Sequence, residues 1–560
     1  MIRSSKWIYF IVLLILAVAA GIRIIYLHGD APVADISRSG VFYVDEGTYS
    51  HNVVNKVIFN KWFLDEDYNA IANVPIFSLS QYLILNIFGV SLLSLRSSGI
   101  IYTVLSLLIL FFLLKKKDFT LSIIVITLAT VNYFYIIYNR LALLENLLIL
   151  FLVIISLCLY YYFKENSIKW LIGAILIFWT GFFIKATILF YLPLLISTIL
   201  IRPVSKMEKF NHLFLYSLIS GFLLLIAYFF WIFPHIADWN YFQTRNIHQQ
   251  INESFLIFIS NYARYLSNLK LFQFMPITYL LFLIYSAYLI YEFYLKKKLS
   301  FLDWLFLSWA ICGILFLGFF KYSPPRLSLI LMPPILVLSA SFLLRLYRKQ
   351  IRFSDKNVFL LLTPVSLLAL CQIFFGLYRI IYYKQNFLSC YLPLISLLVV
   401  PLLYLLMKYE INKKLAALIL FALILGLNSF QIYKYYSNIQ FSYYNAIQDM
   451  KKVIEDEKSD VNVLLGDIAP LVSIELKTKA VNIIFRSDGE DKRILNKRPN
   501  LIVLQDNKQL ERLNKKLPNY FRNVELIKSY EIFNNYQNND DTYFYRIYHN
   551  IESDGLWVEK

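Results

Sequence analysis

Three stretches of the chain put reactive side chains at informative spacings. Tyr43-Val44-Asp45-Glu46-Gly47-Thr48-Tyr49 sets two carboxylates side by side. If the stretch is helical, Asp45 and Tyr49 stand at i and i+4 on one face while Glu46 points about 100° away. One acid can then serve a site, as a base or a ligand, while the other organises it; simple solvation of both is the competing reading. Farther along, Asn139-Arg140-Leu141-Ala142-Leu143-Leu144-Glu145 opens an apolar helix with a carboxylate, a costly placement that calls for a partner. Arg140 is the local candidate, as a structural ion pair or as a site residue. In Phe183-Ile184-Lys185-Ala186-Thr187 one lysine interrupts a long apolar stretch, where it either snorkels to an interface or holds an anion.

These residues have to be positioned by membrane-spanning helices. Of 560 residues, 59% are apolar and only 16% charged, and the mean hydropathy is +0.58. Such values exclude disordered, collagenous and disulfide-scaffold classes and identify a polytopic α-helical membrane protein. The net charge of +18 is not spread evenly. From Gln440 onward there are 18 Lys/Arg and 19 Asp/Glu, against 36 and 17 before it, so the excess belongs to the apolar part. There it forms short clusters between apolar runs, as the positive-inside rule requires, and this pattern excludes a nucleic-acid partner. Cys158, Cys312, Cys371 and Cys390 all lie in apolar runs without metal-ligand spacing.

Apolar runs of roughly twenty residues predict about 13 transmembrane helices. The first, Trp7 to Leu27, follows Arg3 and Lys6, which puts the N-terminus in the cytoplasm as a retained anchor, although Ala17-Val18-Ala19 could also be a cleavage site. The basic clusters Lys115 to Lys117, Arg202 to Lys209, Lys296 to Lys298, Arg345 to Arg352 and Lys413-Lys414 mark later cytoplasmic ends. Among the expected spans are Phe119 to Tyr138, the pair Ile168 to Ile184 and Thr187 to Ile201 with Lys185 at the outer interface, Val358 to Leu377 and Leu388 to Met407. The polar segment 28–91 then faces outward and includes an interfacial helix, Val74 to Phe88, that carries Gln81 and Tyr82. The expected division is a transmembrane domain, 1–439, and an exported soluble α/β domain, 440–560. In that tail, Val461 to Leu465, Val481 to Phe485 and Leu501 to Leu504 read as strands, Ala446 to Glu457 and Lys508 to Lys516 as helices, and Tyr543 to His549 as a closing edge strand.

An ordered set of motifs carries a resemblance to a known family. It comprises Asp45-Glu46 with Tyr49, the proline-led helix from Pro75 to Phe88-Gly89, the segment Leu95-Arg96-Ser97-Ser98, Arg140 with Glu145, the Lys185 turn, and Tyr322-Ser323-Pro324-Pro325-Arg326-Leu327 ahead of Pro333-Pro334. Together they resemble the polytopic glycosyltransferases of the GT-C fold, and more closely their aminoarabinose transferase and protein O-mannosyltransferase branch. The similarity runs along nearly the whole chain and is densest in its first 190 residues. One departure is Asn73-Val74-Pro75, where many relatives have a basic residue followed by two prolines, so no cationic phosphate contact carries over to Asn73.

The resemblance implies an inverting transfer of a sugar from a polyprenyl-phosphate donor to a lipid, glycan or protein acceptor on the exported face of a bacterial plasma membrane. It implies Asp45 as general base and Glu46 as supporting acid. Tyr49, Arg96, Arg140, Glu145, Lys185, Arg264 and Arg326 are then substrate-binding residues, with Lys185 and Arg326 on the phosphate. Arg264 and Arg245, with His235 and His248, are expected along the acceptor cleft. No cofactor is required, and a divalent cation bridging Glu46 and His235 stays open. The competing class is a lipid-linked sugar flippase, which would show paired charges near the bilayer midplane and two related halves.

Overall fold

The computed structural model describes residues 2–30, 41–63, 69–240, 271, 274–320, 324–351, 412–456, 463–482, 499–504, 507–516, 524–531 and 541–547. Its helices are α1 (Ile2–Ile24), α2 (Val41–Phe59), α3 (Pro75–Phe88), α4 (Leu92–Lys115), α5 (Phe119–Val131), α6 (Tyr133–Asn139), α7 (Leu144–Glu165), α8 (Ile168–Phe182), α9 (Leu192–Ile201) and α10 (Lys206–Ala227). They continue with α11 (Pro276–Tyr294), α12 (Phe301–Gly318), α13 (Met332–Tyr347), α14 (Lys413–Ser437) and α15 (Ser442–Asp456). Among the described residues, 7 helices are long and apolar enough to cross a membrane, or 8 if a bent pair counts as one span. The expected spans Val358 to Leu377 and Leu388 to Met407 lie outside the described residues. The chain divides into two compact units, one formed by Met1–Ile25, Gly99–Arg140 and Leu144–Ser437, the other by Tyr26–Ser98, Leu141–Leu143 and Asn438–Lys560.

In the first unit, one expected span proves to be broken. Phe119 to Tyr138 reads as continuous, yet α5 and α6 meet at Asn132 with a bend of 64°. The break is chemically provided for. Asn132 caps α6 by accepting from Tyr135 N at 2.9 Å, and Asn428 of α14 accepts from Tyr133 N at 2.9 Å. The carbonyls left open at the end of α5, Ala129 and Thr130, accept from the buried Arg23 guanidinium at 3.1 and 3.4 Å. In an apolar surrounding each orphaned backbone group would cost several kcal/mol, so Arg23, Asn132 and Asn428 make the bend affordable. The pair α8 and α9 is also shorter than a full span in each limb, joined through a 3₁₀ turn, Ala186–Tyr191, that begins just after Lys185.

Elsewhere in this unit, Asp303 gathers four elements around one buried carboxylate. Ser300 caps α12 by accepting from Asp303 N at 3.2 Å and returns its hydroxyl to Asp303 Oδ2 at 2.6 Å. Lys117 after α4 and Arg345 of α13 pair with the same carboxylate at 2.8 and 3.1 Å, and Tyr285 of α11 donates to it at 3.2 Å. A single acid thus ties helices together at the end where the sequence concentrates its basic clusters.

The second unit is built around α2. Its Asn52 donates to Trp62 O and Asn69 Oδ1 at 2.8 and 2.9 Å and accepts from Ile71 N at 3.3 Å, holding the approach to α3 against α2. The tail supplies strands β1 (Val463–Gly466), β2 (Lys479–Asn482), β3 (Leu501–Leu504), β4 (Val524–Glu531) and β5 (Asp541–Ile547), in the order β2-β1-β3-β5-β4. β1 pairs in parallel with β2 and β3, and the last two strands are antiparallel. The expected edge strand near Tyr543 is therefore internal. On that side of the sheet the edge is Val524–Glu531, whose interspersed Glu525, Lys528 and Glu531 weaken its apolar alternation and suit a border strand.

Between α2 and the short tail helix α16 (Ala469–Val472) there is no room for a side chain at Gly47. A Cβ there would lie 2.6 Å from Leu471 N and 3.0 Å from Leu471 Cα. Alanine gains roughly 0.8–1.0 kcal/mol of helix propensity over glycine. Overpacking against an immovable backbone costs about 1–3 kcal/mol, and that term wins. Gly47→Ala should lower the Tm and speed proteolytic release of the tail; a raised Tm would mean that this contact is slack.

Candidate active site

Asp45 and Glu46 lie on the helix α2, the condition under which Asp45 and Tyr49 share a face, and their environments differ sharply. Glu46 is fully buried. Its Oε2 pairs with Arg96 Nη2 at 2.9 Å, and its Oε1 accepts from Arg96 Nε at 3.2 Å and from Ala142 N at 2.8 Å. The remaining fork of Arg96 donates to Leu27 O and Gly29 O at 3.1 and 3.0 Å. Both members of the pair have 0% exposed side chains, so the guanidinium expected against substrate is engaged by the chain itself. Asp45 and Tyr49 are half-buried and share the neighbouring face of α2. Thr48, one residue earlier, accepts from Asn482 Nδ2 of β2 at 2.9 Å, which fixes the turn of helix bearing the acids.

A second cluster belongs to the other unit. Glu145, in the first turn of α7, is 2% exposed and pairs with Lys185 Nζ at 2.6 Å; Arg326 Nε lies 3.7 Å from the same oxygen. The two cations come from turns: Lys185 precedes the Ala186–Tyr191 3₁₀ turn, and Arg326 sits in the 3₁₀ turn Pro325–Leu331 that leads into α13. Two positive groups thus share one buried carboxylate.

Arg140 is placed differently from the sequence expectation of a local pair with Glu145. It donates to Arg23 O at 3.2 Å, Ile25 O at 2.9 Å and Tyr435 Oη at 2.6 Å, and lies over the rings of Tyr435 and Tyr436. These contacts serve the end of α1. The structure thus brings together Glu46 with Arg96, and Glu145 with Lys185 and Arg326. His235 of the first unit has its ring 5.1 Å from that of Trp231. Among the described residues, no three His, Cys, Asp or Glu side chains gather as metal ligands. Arg264, with Arg245 and His248, lies outside the described residues. Sequence reading missed Arg23, Asn52 and the Ala142 N–H; an arginine inside the first apolar run was the available signal for the first of these.

Residues 73–232 match the family model for dolichyl-phosphate-mannose-protein mannosyltransferase. No curated protein matches the chain significantly. Among solved structures, ArnT from Cupriavidus metallidurans in the apo state aligns with a TM-score of 0.55 at 12% identity, covering 97% of this chain and 98% of that one. The same protein bound to undecaprenyl phosphate aligns with a TM-score of 0.54 at 12% identity, over 95% and 97%.

If the buried pair holds the acid-bearing helix in place, breaking it should be severe. Arg96→Met leaves Glu46 buried without its cation, at about 3–5 kcal/mol, whereas removing both charges, Glu46→Leu with Arg96→Met, should recover most of that loss. The check is Tm in detergent for the single and double variants, and equal losses in both would place the stability elsewhere. The sequence match is confined to residues 73–232, and what the chain shares with ArnT over nearly its full length is the polytopic GT-C membrane fold.

Proposed function

We propose that the chain transfers a sugar from a polyprenyl-phosphate donor to a hydroxyl or similar nucleophile of a lipid, glycan or protein acceptor on the exported face of the membrane. The observation that carries the reading is the division of labour between two adjacent acids. Glu46 has both oxygens engaged by Arg96 and Ala142 N deep in the unit, whereas Asp45 lies half-buried on the adjoining face of the same helix, the placement that suits the proposed base. In this reaction the acceptor oxygen attacks the anomeric carbon, Asp45 takes its proton, and the bond from that carbon to the phosphate oxygen breaks. One displacement of this kind inverts the anomeric centre. The leaving lipid phosphate keeps the electron pair and needs cations rather than a proton, the role proposed for Lys185 and Arg326. Glu46 and Arg96 position Asp45, and Glu145 spaces the two cations. The reaction balances without a cofactor.

The broken span at Asn132 is a feature that a lipid-linked sugar flippase would share. One set of variants separates the readings. Asp45→Asn keeps size and most hydrogen bonding but removes the basic oxygen, so turnover should fall about a hundredfold or more while donor binding survives. Undiminished transfer would remove Asp45 as base, and translocation of the donor by wild type without cleavage would remove the transferase reading.

For the phosphate, Lys185→Met alone cannot separate lost donor contact from an uncompensated Glu145. The double variant Lys185→Met with Glu145→Gln restores charge balance. If Lys185 holds the phosphate, the double variant should regain its Tm but not donor binding or turnover. Recovery of all three would make Lys185 a structural partner of Glu145.

A further inference from the structure

The interfacial helix α3 has two faces of opposite character. Leu79, Leu83 and Ile87, spaced at i+4, are 48%, 63% and 74% exposed, a stripe suited to lipid. The other face is buried and includes Ser78 at 0% and Gln81 at 1% exposure, three residues apart and therefore on one side. Asn73, just before the helix, is 6% exposed.

All three are orphaned. Neither Nδ2 nor Oδ1 of Asn73, neither Nε2 nor Oε1 of Gln81, and not Oγ of Ser78 has a hydrogen-bond partner among the described residues. Buried polar groups in native proteins are almost always satisfied, and five such atoms within nine residues require a cause. The same unit shows that the sequence can do otherwise. Asn52, equally buried, makes three hydrogen bonds, and Ser80 on the same helix donates to Phe77 O at 2.7 Å. Ser97 and Ser98 likewise return their hydroxyls to the preceding turn, at 2.7 Å each. Ser78 does not, although a helical serine always has that option.

We propose that Asn73, Ser78 and Gln81 form a subsite that hydrogen-bonds the hydroxyl groups of a neutral sugar. The ligand class follows from the groups. Two carboxamides and a hydroxyl offer donors and acceptors in nearly equal number and no formal charge. An anion would find acceptors facing it, and a hydrocarbon would leave every group unsatisfied. Vicinal sugar hydroxyls, each both donor and acceptor, satisfy a carboxamide through its two ends. Such a sugar can come from the donor or from a glycan acceptor. That it is a substrate of this chain rests on the transferase reading; that the three residues bind hydroxyls does not.

The test uses the full-length protein and two apolar near-isosteres, Gln81→Met and Asn73→Leu. Removing an orphaned buried amide without changing volume much is neutral or stabilising, so both variants should keep or raise the Tm. Binding is measured for a panel of neutral methyl hexosides and their deoxy analogues, and for polyprenyl phosphate with and without a hexosyl group. Wild type should prefer hexosides over deoxy analogues, or sugar-bearing over bare lipid, by tenfold or more, and the variants should lose the preference while retaining bare lipid. Loss of the lipid-sugar preference assigns the hydroxyls to the donor; a raised KM for a glycan acceptor with that preference intact assigns them to the acceptor. Variants with higher Tm and unchanged preferences in every arm would overturn the proposal, leaving the amides to buried water. If wild type binds hexosides yet transfers no sugar, the transferase reading fails and the subsite stands.

Discussion

The ion pair between Glu46 and Arg96 is the constraint around which the acid-bearing unit is organised. Two full charges with no exposed side-chain surface carry a desolvation penalty of several kcal/mol each, so the pair depends on further hydrogen bonds that satisfy its other donors and acceptors. Ala142 N, Leu27 O and Gly29 O are those destinations. The pair therefore fixes α2, the start of α4, the exit from α1 and the three-residue excursion Leu141–Leu143 in one arrangement. Leu141–Leu143 lies far from Glu46 in sequence yet falls in the same compact unit. Because Glu46 is committed to this task, its neighbour one residue back is held at a set angle around the helix, which is what the base role proposed for Asp45 would require.

Arginines recur in a second role, as acceptors' partners where helices end inside apolar surroundings. Arg23 closes the carbonyls at the end of α5, and Arg140 closes those at the end of α1. The planar guanidinium is suited to this, with several donors in a fixed fork and a charge that cannot be lost. Lys185 and Arg326 differ in that they meet on a carboxylate rather than on main-chain carbonyls. A carbonyl left behind has no substitute in hydrocarbon, but a carboxylate can share its cations with another anion. Burial and a positive charge alone would have grouped Arg140 with Lys185; the identity of the acceptors separates them.

Much of this was legible in the sequence. Apolar runs marked many of the described helices, the shared face expected of Asp45 and Tyr49 in a helix is found on α2, and the composition break near Gln440 marked the α/β tail. What was not legible depended on contacts between distant segments. The partner of Glu145 is Lys185, forty residues on, rather than Arg140, because the helix turn points the latter toward the end of α1. The break at Asn132 had a local sign, an asparagine able to cap a helix within an apolar run, but its cost is met by Arg23 and Asn428, which no window around residue 132 contains. The edge strand Val524–Glu531 escaped notice because charges that protect an edge also erase the alternation by which a strand is recognised.

The charge count around Glu145 bears on how the proposed reaction would be driven. A sugar phosphodiester carries one negative charge, and the phosphate monoester released from it carries ≈ 1.5–2 near neutral pH, as phosphomonoesters do. Two cations without an acid between them would bind the donor tightly in its ground state, and tight ground-state binding adds nothing to the rate of the chemical step. In the proposed reading Glu145 shares Lys185 and Arg326, so a donor phosphate of charge −1 would compete with it for the two cations. As the glycosidic bond lengthens, charge accumulates on the phosphate and the balance of the two cations shifts from Glu145 toward it. The interaction then strengthens along the reaction coordinate, which is the condition for stabilising a transition state rather than a complex. On this proposal a carboxylate beside a phosphate site is no contradiction: it would lower affinity for the donor and reserve the cations for the leaving group.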